Sequence, residues 1–342
     1  MIKRILPMLF VLGVFYSVSS VPAQAQTTCK SSFYCYWYGF NTGCVPTPPP
    51  GATFAEQVWL WESRYTYANA NPGCFPPNGP NEICQQCNAI GGSPIDLLTG
   101  NTFIDQTDVK VPGLGGGLTL ARTWNSKWPA TQSLYQIGLF GPNWRSTYEE
   151  RILIGVDGYV KYSRSDGSFW SFGYAGAAYS PVAPANVIAT LTYDLSNWTL
   201  TFQNGEKRLF SSISGKLTSI VDRNGNTTTL SYDSYFRLTT VADPGGRHLY
   251  FGYGSGSTQY LVTGVTSDIG ISLSYAYDSQ GRLIQVTNPD STVTSFQYDS
   301  NSMITAVKDN SGNVLESHTY DSQGRGLTSS RDSGVEAITV TY

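Results

Sequence analysis

Tyr277-Asp278-Ser279-Gln280-Gly281-Arg282-Leu283-Ile284-Gln285-Val286-Thr287-Asn288-Pro289-Asp290-Ser291 is the stretch that decides the fold. Its opening returns downstream as Tyr298-Asp299, then as Tyr320-Asp321-Ser322-Gln323-Gly324-Arg325, and a further tyrosine stands at Tyr342. These tyrosines are spaced 21, 22 and 22 residues apart. A fixed period near 22 marks a repeat architecture. Upstream, Tyr232-Asp233 lies two periods before Tyr277, Tyr253 stands between them with Gly254 in the Asp place, and Phe210 occupies the position of a degenerate first copy.

Each unit reads as a β-hairpin. Leu217/Ser219/Val221 and Thr292/Thr294/Phe296 alternate as strands with one buried face do. The clusters Asp222-Arg223-Asn224-Gly225-Asn226, Asp243-Pro244-Gly245-Gly246, Asn288-Pro289-Asp290-Ser291 and Asp309-Asn310-Ser311-Gly312-Asn313 supply one turn. The Tyr-Asp-x-x-Gly-Arg segment supplies the other, with Asp capping backbone N–H groups and Gly in the left-handed conformation. The tyrosine is expected to end a strand and to stack on its equivalents in neighbouring hairpins. A lone hairpin cannot bury its own apolar face, so the units must stack into a curved, spiralling antiparallel sheet, and the chain is all-β.

The pattern Y-D-x-x-G-R-L-x-x-V-x-x-P-D-G resembles the YD repeat of the bacterial RHS-repeat family. Tyr277 to Ser291 follows it nearly throughout, with Ser291 in the last Gly place. The resemblance covers the repeats over 187–342. Residues 92–186 are similar to the domain that precedes the repeats in that family: Gly92-Ser93-Pro94 through Thr99-Gly100-Asn101, then Leu118-Thr119-Leu120-Ala121-Arg122-Thr123-Trp124-Asn125-Ser126, then Phe140-Gly141-Pro142-Asn143-Trp144. Asn143 stands where the family has a second Gly, a departure that Asn tolerates because it adopts positive φ. The resemblance implies a β-shell that winds around a toxin or other cargo, with an effector and an immunity protein, or further RHS-repeat polypeptide, as partners. No self-cleavage motif or effector is visible in the sequence.

Charged residues make up only 13% of the 342 residues, and aromatic residues also 13%. This suits a secreted all-β protein and gives no basic footprint for nucleic acid. Met1 to Ala25 reads as a signal peptide: Lys3 and Arg4, an apolar run from Ile5 to Val18, and Ala23-Gln24-Ala25, with cleavage after Ala25. The mature chain is then expected in the periplasm, at the cell surface or outside the cell. Losing Lys3 and Arg4 takes the formal net charge from −3 to −5. No other segment is long and apolar enough for a transmembrane helix. Residues 26–91 hold all six cysteines, Cys29, Cys35, Cys44, Cys74, Cys84 and Cys87. An even count in an exported segment implies disulfides, whose pairing stays open. The Cys84-Gln85-Gln86-Cys87 spacing also suits half a zinc or redox site, but His248 and His318 are the only histidines and both are far away.

No catalytic constellation emerges. G-x-S-x-G, P-loop, H-E-x-x-H and G-x-G-x-x-G motifs are missing, and Leu118 breaks the last at Gly113 to Gly117. Glu149-Glu150 would point to opposite faces of a strand, unsuited to paired acid–base work. Asp222-x-Asn224-x-Asn226 resembles the start of a calcium loop but has Thr227 where Gly is needed, and a hairpin turn accounts for it. The expected function is therefore a non-catalytic wall of the toxin-encapsulating or contact-dependent competition type, without cofactor or metal. Two alternatives stand beside it: a carbohydrate-binding or adhesion module, given 23 Tyr and 8 Trp, and an inactive truncated gene product. About 14 strands at ~4.8 Å spacing would close to a ring only ~20 Å across, which side chains alone would largely fill. A chain of this size is thus expected to form an open strip, a small curved wall, or part of a larger assembly.

Overall fold

The computed structural model describes residues 90–91, 95–97, 99–127, 137–154, 159–174, 178–183, 187–332 and 334–342. Met1 to Ala25, read above as a signal peptide, and the six cysteines lie outside the described residues.

Nineteen strands form one antiparallel sheet that runs from Arg151–Ile154 to Val335–Thr339. Each strand pairs with the next in sequence. The sheet begins inside the 92–186 segment, so the pre-repeat residues and the repeats share one wall. The sheet curls back on its own first strand rather than running as an open strip. Arg151 on the first strand bridges to Lys216, and the Ile152 N–H donates to the Gly215 carbonyl at 2.9 Å.

The curl has a repeated local cause. The pairing register shifts just before the motif tyrosine in every unit, at Ser231/Tyr232, Gly252/Tyr253, Ala276/Tyr277, Gln297/Tyr298 and Thr319/Tyr320. The same shift falls at Leu209/Phe210, which confirms Phe210 as a first copy. Such bulges bend a strand and increase its twist, so one per hairpin turns a flat ribbon into a wall with an inner face.

That inner face is apolar at fixed places in the unit. Two residues before each tyrosine stand Leu230, Phe251, Tyr275, Phe296 and His318, all buried. Leu238, Val262, Leu283 and Ile304 form a second buried row, and Val241, Val265, Val286 and Val307 a third. Between the first strands, Tyr162 meets Trp170, Phe202 and Phe210 with ring centroids 5.6, 6.4 and 5.9 Å apart.

The described residues between Ile95 and Glu150 occupy the inner face. Phe103–Val111, Leu118–Asn125 and Trp144–Ser146 make a separate three-stranded sheet. Its aromatic side chains and those beside it meet successive repeats in order: Tyr148 against Phe251, Phe140 against Tyr275, Trp144 against Phe296 and Trp124 against Tyr320. Plug and wall form one continuous core. The space inside the ring is thus filled by a preceding β-domain and not by the wall's own side chains alone.

Removing one of these contacts measures the plug's share of stability. Trp144→Ala is expected to cost about 3–5 kcal/mol in urea unfolding, because the ring is fully buried against Phe296. Tyr250→Ala, on the outward face, is expected to change stability by about 0.5 kcal/mol or less. Similar losses at the two positions would show that residues 95–150 do not stabilise the wall.

Candidate functional site: the repeat rim and its cleft

The tyrosine-aspartate segments lie along one rim of the wall, and their chemistry repeats atom for atom. Each aspartate accepts two backbone N–H groups, at the second and fourth residues after it: Tyr235 and Arg237 for Asp233, Gln280 and Arg282 for Asp278, Asn301 and Met303 for Asp299, Gln323 and Arg325 for Asp321. The other carboxylate oxygen takes the arginine Nε, at 2.7 Å from Arg237, 2.6 Å from Arg282 and 2.7 Å from Arg325. Gly281 and Gly324 take φ of 74° and 72°, as the turn requires.

Each tyrosine hydroxyl donates to a carbonyl of the preceding hairpin: Tyr232 to Leu217, Tyr253 to Leu238, Tyr277 to Val262, Tyr298 to Leu283, Tyr320 to Ile304 and Tyr342 to Gly326. The basic side chain of one unit then lies over the next unit's ring. Arg237 sits 4.8 Å from the centre of Tyr253, Arg282 4.9 Å from Tyr298 and Arg325 4.2 Å from Tyr342. Lys216 and Tyr232 repeat the arrangement at 5.7 Å. The contact between neighbours is thus a cation over a ring, where the sequence suggested ring on ring. The motif tyrosines are spent on structure, so they are not the free stacking platforms that a carbohydrate reading would need.

Two units fill the glycine place with another residue. Phe236 occupies the glycine place, at φ 58°. A bulky residue in the left-handed region costs roughly 1–2 kcal/mol. Ser302 makes the same substitution at φ 65° with a small side chain. Asn143 likewise takes φ 66°, which settles the turn where the family's glycine is missing.

Phe236 lines a cleft of about 70 Å³ that is partly open to solvent. The cleft lies where residues 138–153 meet the rim, and Tyr148, Phe169, Tyr232, Tyr235 and Tyr260 complete its aromatic wall. Its floor is charged. Arg145 and Arg151 are 6% and 4% exposed, and Glu149 and Glu150 are beside them. Burial lowers the Arg145 guanidinium to about 10; Glu149 opposes that shift and Arg151 adds to it. Burial raises both glutamates, against Arg145 for Glu149 and Arg208 for Glu150. The two glutamates are not on a strand, contrary to the sequence reading, and they serve different partners. Glu149 accepts the Leu139 N–H and the Ser146 hydroxyl, both at 2.7 Å, and Glu150 pairs with Arg208 at 3.0 Å.

A second charged group is sealed deeper, between plug and wall. Arg122 makes a two-pronged ion pair with Asp108, and the Tyr275 hydroxyl donates to the same carboxylate at 2.8 Å. Arg122 also lies 4.7 Å from the centre of the Trp144 ring. Burial opposes its charge, yet Asp108 carries the net shift upward. Sequence analysis saw Arg122 only as a motif letter, since nothing local says that its partner is 14 residues away and faces Tyr275. Asp222 turns out to cap its own hairpin, accepting the Asn224 and Asn226 N–H groups at 2.8 Å.

Residues 92–172 match a domain of unknown function (DUF6531), and residues 214–248, 261–293 and 277–314 match the RHS Repeat. The chain is 30% identical over 326 residues to the tRNA nuclease WapA of Bacillus subtilis (strain 168), covering 89% of this chain and 13% of that protein. The tRNA3(Ser)-specific nuclease WapA of Bacillus spizizenii matches at the same identity and coverage. The chain therefore spans about an eighth of the length of these relatives. Among solved structures, a Photorhabdus luminescens Tc holotoxin pore aligns with a TM-score of 0.30 at 12% identity, covering 67% of this chain and 14% of that one. The TcdB2-TccC3 crystal structure aligns with a TM-score of 0.27 at 11% identity, over 68% and 18%.

The buried glutamates and the turn aspartates give opposite pH dependences. A carboxyl raised on folding, such as Glu149, stabilises the fold below its unfolded value, and that contribution is lost as pH rises through the folded one. Asp222 and Asp309 are lowered, first by the Asn226 and Asn313 side chains, so their contribution is present above the unfolded value and lost as pH falls below about 4. Glu149→Gln, which mimics the protonated acid, is expected to raise the thermal midpoint at about pH 7.5 and to have less effect at about pH 5. An equal shift at both pH values would remove the burial argument.

Proposed function

We propose that this chain, a member of the RHS-repeat family, is the self-filled opening of a β-shell in an exported, toxin-related protein. The wall itself carries no chemistry. The observation that supports this reading most is the plug: Trp124, Phe140, Trp144 and Tyr148 take up the inner face from Phe251 to Tyr320, where cargo would otherwise sit. A shell must be sealed where it begins, because an open mouth would expose the apolar inner rows to water. In this reading the plug is that seal, and an effector with its immunity protein, or further repeat polypeptide, belongs beyond the wall.

The relatives are named as tRNA nucleases, and the part they share with this chain is a small share of their length. We assign the shared part to the scaffold and not to the cleaving site. No helix among the described residues is long and apolar enough to cross a membrane, and export through the Met1–Ala25 segment is part of the proposal.

The test is to incubate the purified mature chain with total tRNA, with and without divalent cations, and to follow cleavage on denaturing gels. Intact tRNA is expected throughout. Cleavage that survives further purification and is lost with a chelator would overturn the scaffold assignment. Limited proteolysis is a second readout: residues 99–127 are expected to resist cutting as long as the wall stays folded. Early cutting inside them would show that the plug does not seal.

A further inference from the structure

We propose that the apolar tips of the first turns along the motif rim are the docking surface for this chain's own 53–67 segment, which lies across them as an amphipathic helix. The inference goes beyond the shell role and does not depend on it.

The surface is a run of three neighbouring hairpin tips. Leu195 is 81% exposed, Ile213 64% and Tyr235 61%, with Phe236 beside it at 39%. The tips touch in order: the Ser212 N–H donates to the Ser196 carbonyl at 3.3 Å, and the Lys216 ammonium to the Phe236 carbonyl at 2.6 Å. Farther along the rim the apolar character stops. The residue whose N–H meets the capping side chain two positions earlier is Ile213 or Tyr235 in these units, but Gln280, Asn301 or Gln323 in later ones, and all five are exposed. The turn makes the same bond with either kind of side chain, so it does not demand the apolar one. Leu195 also holds φ at 71°. A leucine kept in the left-handed region while mostly exposed carries strain that burial in the wall does not offset, which points to recognition. An exposed apolar run of this kind marks a contact surface.

The 53–67 segment fits it by pattern, length and reach. It lies outside the described residues. In its sequence, Thr53 and Glu56 have the spacing of a capping box, and Phe54, Val58, Trp61 and Tyr65 recur at i, i+4, i+7 and i+11. Asn71-Pro72-Gly73 follows as a stop signal. The four apolar residues make one stripe about 17 Å long. The three tips, each two strand spacings from the next, span about 19 Å. The described chain begins at Ile90, which pairs with Asp96, and nearby Gly100 accepts the Gly326 N–H at 2.8 Å, beside the last motif turn on the same rim. From that turn back to Leu195 the rim runs six hairpins, about 58 Å. The 23 steps from Tyr67 to Ile90 (90 − 67) reach about 76 Å when extended, enough to bring the helix to the tips.

The experiment introduces the photo-crosslinker p-benzoyl-L-phenylalanine at Val58 of the mature chain and maps the crosslinked peptides by mass spectrometry. Crosslinks within one chain to residues 193–197, 211–216 or 233–237 are expected. Crosslinks to the opposite rim or the outward strand faces, crosslinks that join two chains, or none at all would overturn the proposal.

A tip variant gives the second readout. Leu195→Asn replaces the exposed leucine with a polar residue that tolerates positive φ, so the turn is kept. Trypsin cleavage after Arg64 is expected to become at least about tenfold faster, because a helix released from its surface opens to the protease. Gln280→Asn, at a polar tip, is expected to leave that rate unchanged. No acceleration in Leu195→Asn, or equal acceleration in both variants, would show that the tips do not hold the segment.

Discussion

A sheet assembled from short hairpins has an apolar inner face that no single hairpin can cover, and everything else in this protein answers that constraint. The rows built on Leu230, Phe251, Tyr275 and Phe296, on Leu283 and on Val286 recur once per unit and are buried in each. The bulges before Tyr232, Tyr253, Tyr277, Tyr298 and Tyr320 bend the sheet toward this face, and the described residues between Ile95 and Glu150 fill it. Plug and wall are thermodynamically one object, since the aromatic contacts between them join otherwise separate sheets into a single core.

The rim has a different task. Its aspartates, arginines and tyrosines set how one hairpin sits on the next. The aspartate closes the turn by taking two N–H groups and orients the arginine. The arginine covers the next tyrosine, whose hydroxyl reaches back to a carbonyl of the earlier hairpin. Each bond is modest alone, about 1 kcal/mol net for a hydrogen bond and ~0.5–1 for an exposed cation over a ring. Their value lies in register: the same geometry in every unit leaves one way to stack. Phe236 keeps all these bonds while paying in backbone strain, which separates its side chain from the needs of the turn.

Two groups of buried charge differ in their surroundings. The Arg122–Asp108 pair is buried, its carboxylate also accepts the Tyr275 hydroxyl, and Trp144 covers the guanidinium, so it acts as a specific joint between plug and wall. Arg145 and Arg151 instead border a cleft that opens to solvent. Buried charges cost desolvation energy wherever they are. The first group offsets it with an ion pair, and the second with hydrogen bonds such as those of Arg145 to the Trp144 carbonyl and Arg151 to the Ser214 carbonyl.

The sequence by itself determined the all-β class, the 22-residue unit, the two turns of each hairpin and the capping role of the motif aspartates. These are local matters: a turn needs its cap and its left-handed residue within five positions, and a strand declares its buried face by alternation. Even Phe210, which lacks the tyrosine hydroxyl, could be placed by spacing alone. Only the tertiary structure decided that the first strand meets Lys216, that the described residues between Ile95 and Glu150 lie inside the wall, that Arg122 pairs with Asp108 under Tyr275, and that Arg145, Glu149 and Phe236 share a cleft. Those relations join residues from 14 to more than 150 positions apart. They follow from the accumulated bend of many hairpins, which no single motif encodes.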